Sequence, residues 1–264
     1  MPGPGHRSAA HGRRLRRLPG RSRSLARHGR GLRPPRHPPA RPPGGRPVSA
    51  ILWDLDDTLL ETLPARMASL AHAHQVVLGE PVDPVELWRS NRGGTLEDLA
   101  RRLLGDDYQR FTRAYREHYY VPGRPAPRPF EGVEAVLRSL HAAGIPMAVV
   151  TSKVSYGAVE ELEAAGLLRY FRAVIGFDDT ERHKPDPEPV YAALDRLLAD
   201  YPERAVIVGD SPADIWAARN AGIRSVAALW GSIDAAATLD ALPDFTARTP
   251  GHVLELAVEQ GFGR

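Results

Sequence analysis

Residues 51–59 read Ile-Leu-Trp-Asp-Leu-Asp-Asp-Thr-Leu, an apolar run that ends in three carboxylates at Asp54, Asp56 and Asp57. A short apolar run without alternation is typical of a central parallel strand that is covered on both faces. Such strands end in the crevice where open α/β sheets bind their ligands. Carboxylates this close repel one another unless a cation is bound or one keeps its proton. The stretch therefore predicts a buried strand that carries acids to a functional edge; a solvated acidic turn is the alternative.

Charge is distributed unevenly along the 264 residues, whose formal net charge is +3. Residues 1–47 contain thirteen arginines and no acid, so the remainder holds 22 basic and 32 acidic residues, or −10. Because this leader has few large apolar residues, we expect it to be disordered. A basic nucleic-acid arm and a transit peptide are two functional interpretations of it. We favour translation of GC-rich sequence upstream of the true start, since ten prolines suit neither an arm that folds nor a targeting helix.

The sequence contains no cysteine, which excludes a disulfide framework and a thiolate metal site. No apolar stretch has the length of a membrane span, and no secretory signal is present. We therefore expect a cytoplasmic protein, monomeric or homodimeric, with no membrane partner and no nucleic-acid partner.

Beyond the acidic turn, the pattern predicts several helices and then a regular alternation of helices and strands. Helical segments begin near Leu63, Asp83, Thr95 and Asp107, and a proline-rich stretch at 121–129 returns the chain. The later strands are predicted at 146–150, 173–176, 205–208 and 224–228, with a helix between each pair. This alternation predicts an α/β fold: a Rossmann-like parallel sheet with helices on both faces and an inserted all-helical cap. The predicted boundaries are a leader at 1–47, a core at 48–61 and 129–264, and a cap at 62–128.

Three later segments place polar side chains at the ends of predicted strands. They are Thr151-Ser152-Lys153, Lys184 in Lys-Pro-Asp-Pro, and the segment from Asp210 to Asp214. Right-handed crossovers keep parallel strands in one direction, so these side chains meet the first acids at one edge. Hydroxyls at a helix start suit a phosphate group, and carboxylate oxygens suit Mg²⁺. The chain uses 33 arginines but only two lysines, and a retained lysine indicates a site that needs a compact point charge.

Taken in order, the four segments resemble the motifs of the haloacid dehalogenase-like (HAD) phosphohydrolases, over roughly residues 48–230. Family members usually have Gly at the position of Asp57. The resemblance implies Asp54 as nucleophile and Asp56 as acid/base; Thr151, Ser152 and Lys184 as phosphate-binding residues; and Asp54, the main-chain carbonyl of Asp56, Asp210 and Asp214 as holders of Mg²⁺.

The resemblance further implies a Mg²⁺-dependent phosphatase that hydrolyses a small phosphorylated metabolite through an aspartyl-phosphate. The small cap is most similar to those of phosphoglycolate phosphatases and related pyrophosphatases. Two alternatives stay open: a phosphomutase of the β-phosphoglucomutase type, and a non-catalytic binding protein with a basic nucleic-acid-contacting arm. We expect Arg66, Asn91 and Arg92 to face the crevice and select the substrate.

Overall fold

The computed structural model describes residues 50–199 and 204–259, and in this part of the chain six parallel strands form one sheet. The strands are β1 (Ile51–Trp53), β2 (Met147–Val150), β3 (Ala173–Ile175), β4 (Val206–Gly209), β5 (Arg224–Ala228) and β6 (Phe245–Ala247). Their order in the sheet is β3-β2-β1-β4-β5-β6. The central position of β1, between β2 and β4, confirms the buried strand predicted from its apolar run.

Helices connect the strands and cover both faces of the sheet. They are α1 (Leu63–Leu78), α2 (Pro84–Arg89), α3 (Leu96–Leu104), α4 (Tyr108–Tyr119), α5 (Val133–Ala142), α6 (Ser155–Ala164), α7 (Glu188–Leu197), α8 (Pro212–Ala221), α9 (Ala235–Asp240) and α10 (Pro250–Glu259). The predicted Rossmann-like α/β fold is confirmed. The sequence did not predict α9, β6 and α10, and the leader at 1–47 lies outside the described residues.

Alternate side chains of β1 enter two different hydrophobic clusters. Ile51 and Trp53 pack with residues of α5, α6 and α10 on one face, whereas Leu52 packs with α7 and α8 on the other. All three side chains are buried. Burying an aliphatic side chain of this size contributes about 1.5–3 kcal/mol, so both faces stabilise the strand that carries the acids.

Helices α1 to α4 form an insertion with a hydrophobic cluster of its own. Buried side chains from α1, α3 and α4, including Leu70, Leu99 and Phe111, make up this cluster. The insertion leaves and rejoins the sheet through two adjacent segments, because Leu60 and Pro129 form an antiparallel bridge. None of the described helices combines the length and the apolar character needed to cross a membrane.

Candidate active site

The acidic segment continues from β1 into a tight turn at the carboxyl edge of the sheet. The amide of Asp54 donates to the carbonyl of Val208 at 2.9 Å, which extends the pairing of β1 with β4. The chain then folds back, since the amides of Leu59 and Leu60 both donate to the carbonyl of Leu55. This turn fixes the acids at the sheet edge, as the strand pattern predicted.

Lys184 binds the first predicted catalytic acid. Its Nζ donates to Oδ1 of Asp54 and to Oδ1 of Asp214, both at 2.6 Å, and to the carbonyl of Val150 at 2.9 Å. Burial raises the pKa of Asp54 to about 7, although the ammonium of Lys184 acts in the opposite direction. Burial also disfavours the charged lysine, but the carboxylates of Asp214 and Asp54 outweigh it and raise the pKa of Lys184. The ion pair is therefore buried and its ammonium stays charged.

Lys153 binds the second predicted catalytic acid in the same manner. Its Nζ donates to Oδ1 of Asp56 at 2.8 Å, to the hydroxyl of Tyr119 at 3.2 Å and to Oε2 of Glu161. Burial opposes ionisation of Asp56, but the charges of Lys153 and Arg66 outweigh it and lower the pKa of this carboxyl. Each lysine of the chain is thus paired with one of the two acids.

A cluster of carboxylates offers ligands to a cation. Oxygens of Asp54, Asp210 and Asp214 lie within 4.8 Å of one another. Burial, together with the negative charges of Asp54 and Asp214, raises the pKa of Asp210 well above its usual range. No ion pair reaches Asp210 among the residues that the structure describes, and the hydroxyl of Thr58 donates to its Oδ1 at 3.2 Å. All donors in this set are oxygens, and the Asp210 carboxylate lacks a cationic partner among the described residues. Such a set fits a hard divalent cation.

Asp214 braces the cluster. Oδ1 accepts from Lys184, and Oδ2 accepts from the hydroxyl of Ser211 at 2.6 Å, within the capping box that begins α8. Both oxygens therefore have donors from the protein.

Thr151 and Ser152 follow β2 and line the cavity at the site. The helix predicted from Tyr156 is confirmed as α6, which begins at Ser155 with Val154 as its N-cap, so a short loop separates the two hydroxyls from the helix start that the sequence placed next to them. Thr151 is buried, and its Oγ1 accepts from the amide of Lys153 at 3.2 Å. Thr151 therefore lies in the loop between β2 and α6 and not in the helix itself.

Asp57, which stands where family members usually have Gly, links the turn to the helical insertion. Its carboxylate accepts from the amides of Thr62 and Leu63 at 3.0 and 2.8 Å, at the start of α1. It also pairs with Nη1 of Arg66 at 2.5 Å, and the Arg66 guanidinium lies over the ring of Trp88. Asp57 therefore serves as a structural anchor for the insertion.

A cavity of about 160 Å³ lies at the strand ends and is lined by residues of the sheet edge and of the insertion. Arg66 and Arg92 line it, and their role in substrate selection stays a prediction. Asn91 differs from the prediction, because its side chain is directed into its own loop. Its Nδ2 donates to the carbonyls of Gly94 and Thr95 at 2.7 and 2.9 Å, which holds the loop that carries Arg92.

Sequence reasoning missed Glu161 and Tyr119. Tyr119 donates through its hydroxyl to Oε1 of Glu161 at 3.0 Å, and both side chains are buried beside Lys153. A signal for Glu161 was present, since it shares the buried face of α6 with Ala158 and Leu162. An acid at a core-facing helical position requires a partner.

Comparison with known proteins agrees with this architecture. The haloacid dehalogenase-like hydrolase family matches residues 51–228, and the chain belongs to this family of hydrolases. A candidate pyrophosphatase, PpaX, from Caldanaerobacter subterraneus subsp. tengcongensis is 37% identical over 183 residues, covering 69% of this chain and 82% of that protein. A phosphoglycolate phosphatase from Aquifex aeolicus is 30% identical over 210 residues, covering 79% and 96%.

Solved structures share the fold. A haloacid dehalogenase-like hydrolase from Streptococcus pneumoniae superposes with a TM-score of 0.69 at 26% identity, covering 79% of this chain and 98% of that one. A candidate β-phosphoglucomutase from Thermotoga maritima gives a TM-score of 0.61 at 26% identity, covering 80% and 99%. The fold is therefore common to hydrolases and to a candidate mutase.

Proposed function

We propose that the protein is a Mg²⁺-dependent phosphatase that hydrolyses a small, phosphoglycolate-like metabolite through an aspartyl-phosphate on Asp54. The observation that carries this proposal is the pairing of two adjacent acids with two buried lysines at the edge of the sheet. This arrangement gives one carboxylate to attack phosphorus and a second, separately held, to move the proton.

In the proposed reaction, Asp54 attacks the phosphorus of a phosphate ester in line. Although burial opposes ionisation, Lys153 and Arg66 lower the pKa of Asp56, so this carboxylate takes its proton from a monoanionic phosphate ester as the ester binds. Asp56 then protonates the leaving oxygen, and it afterwards deprotonates the water that cleaves the aspartyl-phosphate.

Thr151, Ser152 and Lys184 hold the phosphoryl oxygens as negative charge spreads over them. The proximity of Lys184 to Asp54 supports this role, because one ammonium can neutralise both the attacking carboxylate and the phosphoryl group.

Hydrolases of this family generally use a divalent metal, and the carboxylate cluster supports one here. Mg²⁺ would be held by Asp54, by the main-chain carbonyl of Asp56 and by Asp210, with Asp214 bracing the set. When bound, the cation supplies positive charge to the phosphoryl oxygens. Magnesium rather than another cation is part of the proposal, because Mg²⁺ favours carboxylate oxygens and retained water.

The dimensions and charge of the cavity support a small anionic substrate. Its volume of about 160 Å³ is below the roughly 300–1,000 Å³ of pockets for drug-sized ligands. Two of the arginines that line the cavity, Arg66 and Arg116, form ion pairs with Asp57 and Glu97, respectively. Arg92 has no ion pair within the described residues, so its guanidinium is available to a second anionic group on the substrate.

A phosphomutase is the second candidate, because the fold is shared with a candidate β-phosphoglucomutase. The two activities differ in whether water or a second sugar phosphate accepts the phosphoryl group from Asp54. Phosphoenzyme that forms but releases phosphate only slowly would favour the mutase.

The test is phosphate release by the full chain from a panel of small phosphate esters and pyrophosphate, with Mg²⁺ and with EDTA. We expect metal-dependent release with one preferred substrate. Asp54→Asn should abolish phosphoenzyme formation and lower turnover at least ~10³-fold, since the nucleophile is lost. Turnover of that variant at the wild-type rate would overturn the assignment of Asp54.

A further inference from the structure

We propose that Lys153 is a positioning residue for Asp56, held in place by Glu161 and Tyr119 from two other elements. This inference rests on the proposed phosphatase function and extends it to a residue to which no role has been assigned. Lys153 is one of only two lysines in the sequence, and its side chain is 7% exposed.

The hydrogen bonds of Lys153 argue for positioning rather than for contact with substrate. A lysine ammonium has three N–H donors and no acceptor. The three donors of Lys153 meet Asp56, Tyr119 and Glu161. All of them therefore have side-chain acceptors.

Lys184 also has three acceptors, but one of these is Asp54, the proposed nucleophile, so its ammonium lies where a phosphoryl group would be transferred. Lys153 instead contacts the proposed acid/base Asp56 and two residues that have no proposed part in binding phosphate.

Asp56 needs such a partner more than the neighbouring acids do. Its side chain is 18% exposed, compared with 9% for Asp54 and 1% for Asp214. A carboxylate at the open side of the cavity has room to rotate toward solvent. The bond from Lys153 to Oδ1 opposes this rotation and keeps the second oxygen near the reacting ester.

Glu161 and Tyr119 fix the position of the ammonium itself. Glu161 lies on the buried face of α6, and Tyr119 ends α4 of the insertion. The Tyr119 hydroxyl donates to Oε1 of Glu161 while it accepts from Lys153, so the three groups form a closed network. An arginine cannot replace the lysine here, because a planar guanidinium does not direct three donors from one point.

The experiment compares two leaving groups. Phosphoryl transfer from an alkyl phosphate requires Asp56 to protonate the leaving oxygen, whereas p-nitrophenolate leaves without a proton. We expect Lys153→Met to lower kcat/KM about 10²-fold for phosphoglycolate or glycerol phosphate, the range of general acid catalysis, and less than about tenfold for p-nitrophenyl phosphate. A residue that only stabilises the fold would lower both values together.

Lys184→Met is the matched control, because Lys184 contacts Asp54 and is the proposed partner of the transferring phosphoryl group. This substitution should lower kcat/KM for both substrates to the same extent. Glu161→Gln should reproduce a weaker form of the Lys153→Met pattern. Since Lys153→Met leaves the Glu161 carboxylate unpaired, the double variant K153M/E161Q is measured in parallel, with a circular dichroism melt to confirm folding.

Equal losses for both leaving groups in folded K153M/E161Q, with an active wild type, overturn the positioning role alone. A wild type that releases no phosphate from any ester overturns the proposed function and this inference together. The two failures are therefore distinguished by the wild-type measurement.

Discussion

At the residue scale, the raised pKa of Asp54 would link the pH of the solution to the proposed binding of a cation. Folding raises the pKa of this carboxyl from 3.8 to about 7, chiefly through burial. A group whose pKa is raised in the folded state stabilises that state fully at low pH. This contribution declines as the pH rises from 3.8 and is lost above about 7. In the metal-free protein this stabilisation is therefore absent at alkaline pH, where a bound cation would stabilise the folded state most.

We predict that the increase in Tm caused by Mg²⁺ is larger at pH 8 than at pH 5.5, because the cation binds the ionised carboxylate. Differential scanning fluorimetry with Mg²⁺ and with EDTA measures this difference. Asp54→Asn is the control, since its neutral amide should reduce the dependence on pH. An equal increase in Tm at both values would contradict the prediction.

The individual acids were predictable because each follows an apolar strand, and the crossover rule brings strand ends together. Lys184 was predictable from its motif. The network of Lys153, Glu161 and Tyr119 was not, because it joins residues from three elements whose contacts depend on tertiary packing. Asn91 was misplaced for a similar reason: periodicity cannot distinguish a side chain that faces a cavity from one that holds its own loop.

At the scale of elements, Asp57 connects the turn that carries the acids to α1. Asp57→Ala removes the acceptor at the helix start and leaves the Arg66 guanidinium without its carboxylate. We expect a loss of about 3 kcal/mol in the free energy of unfolding, from a lost cap of about 1 kcal/mol and a partly buried charge without its partner.

Asp57→Asn keeps an acceptor for the amides of Thr62 and Leu63 but loses the ion pair, so it should cost less than Asp57→Ala. Urea denaturation measures both variants. Loss of less than about 0.5 kcal/mol in Asp57→Ala would show that α1 is held by other contacts, within the range of ordinary surface substitutions.

The turn also depends on Gly231. A Cβ at this position would overlap the main-chain oxygen of Asp57, whereas a Cβ on Gly251 meets nothing closer than 3.7 Å. We predict that Gly231→Ala costs about 1–3 kcal/mol through overpacking and lowers kcat/KM, because it displaces the turn that carries the acids.

Gly251→Ala is the matched control, since Gly251 lies in α10 and alanine favours the helix by about 0.5–1 kcal/mol. Thermal unfolding and phosphate release should separate the two variants. Equal behaviour would mean that the turn near Asp57 tolerates displacement.

Element boundaries agreed with the sequence where local capping determined them. Asp83 caps α2 with its side chain, as predicted. The helix predicted from Thr95 is α3, and Thr95 is its N-cap within a capping box that the sequence analysis did not identify.

The helix predicted from Tyr156 is α6, which begins one residue earlier, at Ser155, with Val154 rather than a hydroxyl residue as its N-cap. The strand β6 was not predicted because it has the exposed, polar Thr246 at its centre and so lacks the unbroken apolar run that indicated β1 and β3.

At the scale of the whole molecule, charge separates the first 47 residues from the rest. Every residue of the proposed site lies between Asp54 and Asp214, so deleting residues 1–47 should leave kcat and KM unchanged. The truncated chain, with a formal charge of −10, should bind an anion exchanger at pH 8. A fall in kcat/KM of more than threefold on truncation would assign those residues a part in catalysis.

Because the sequence has only two lysines, their chemical modification can report when the site opens. Both lysines of the sequence are at the site, with side chains 7% and 4% exposed. An amine-reactive mass tag should therefore modify a lysine only in molecules whose acid pairs have come apart. The rate at which a lysine peptide acquires the tag would time the exposure of the Asp54 and Asp56 carboxylates, with no background from surface lysines elsewhere on the chain.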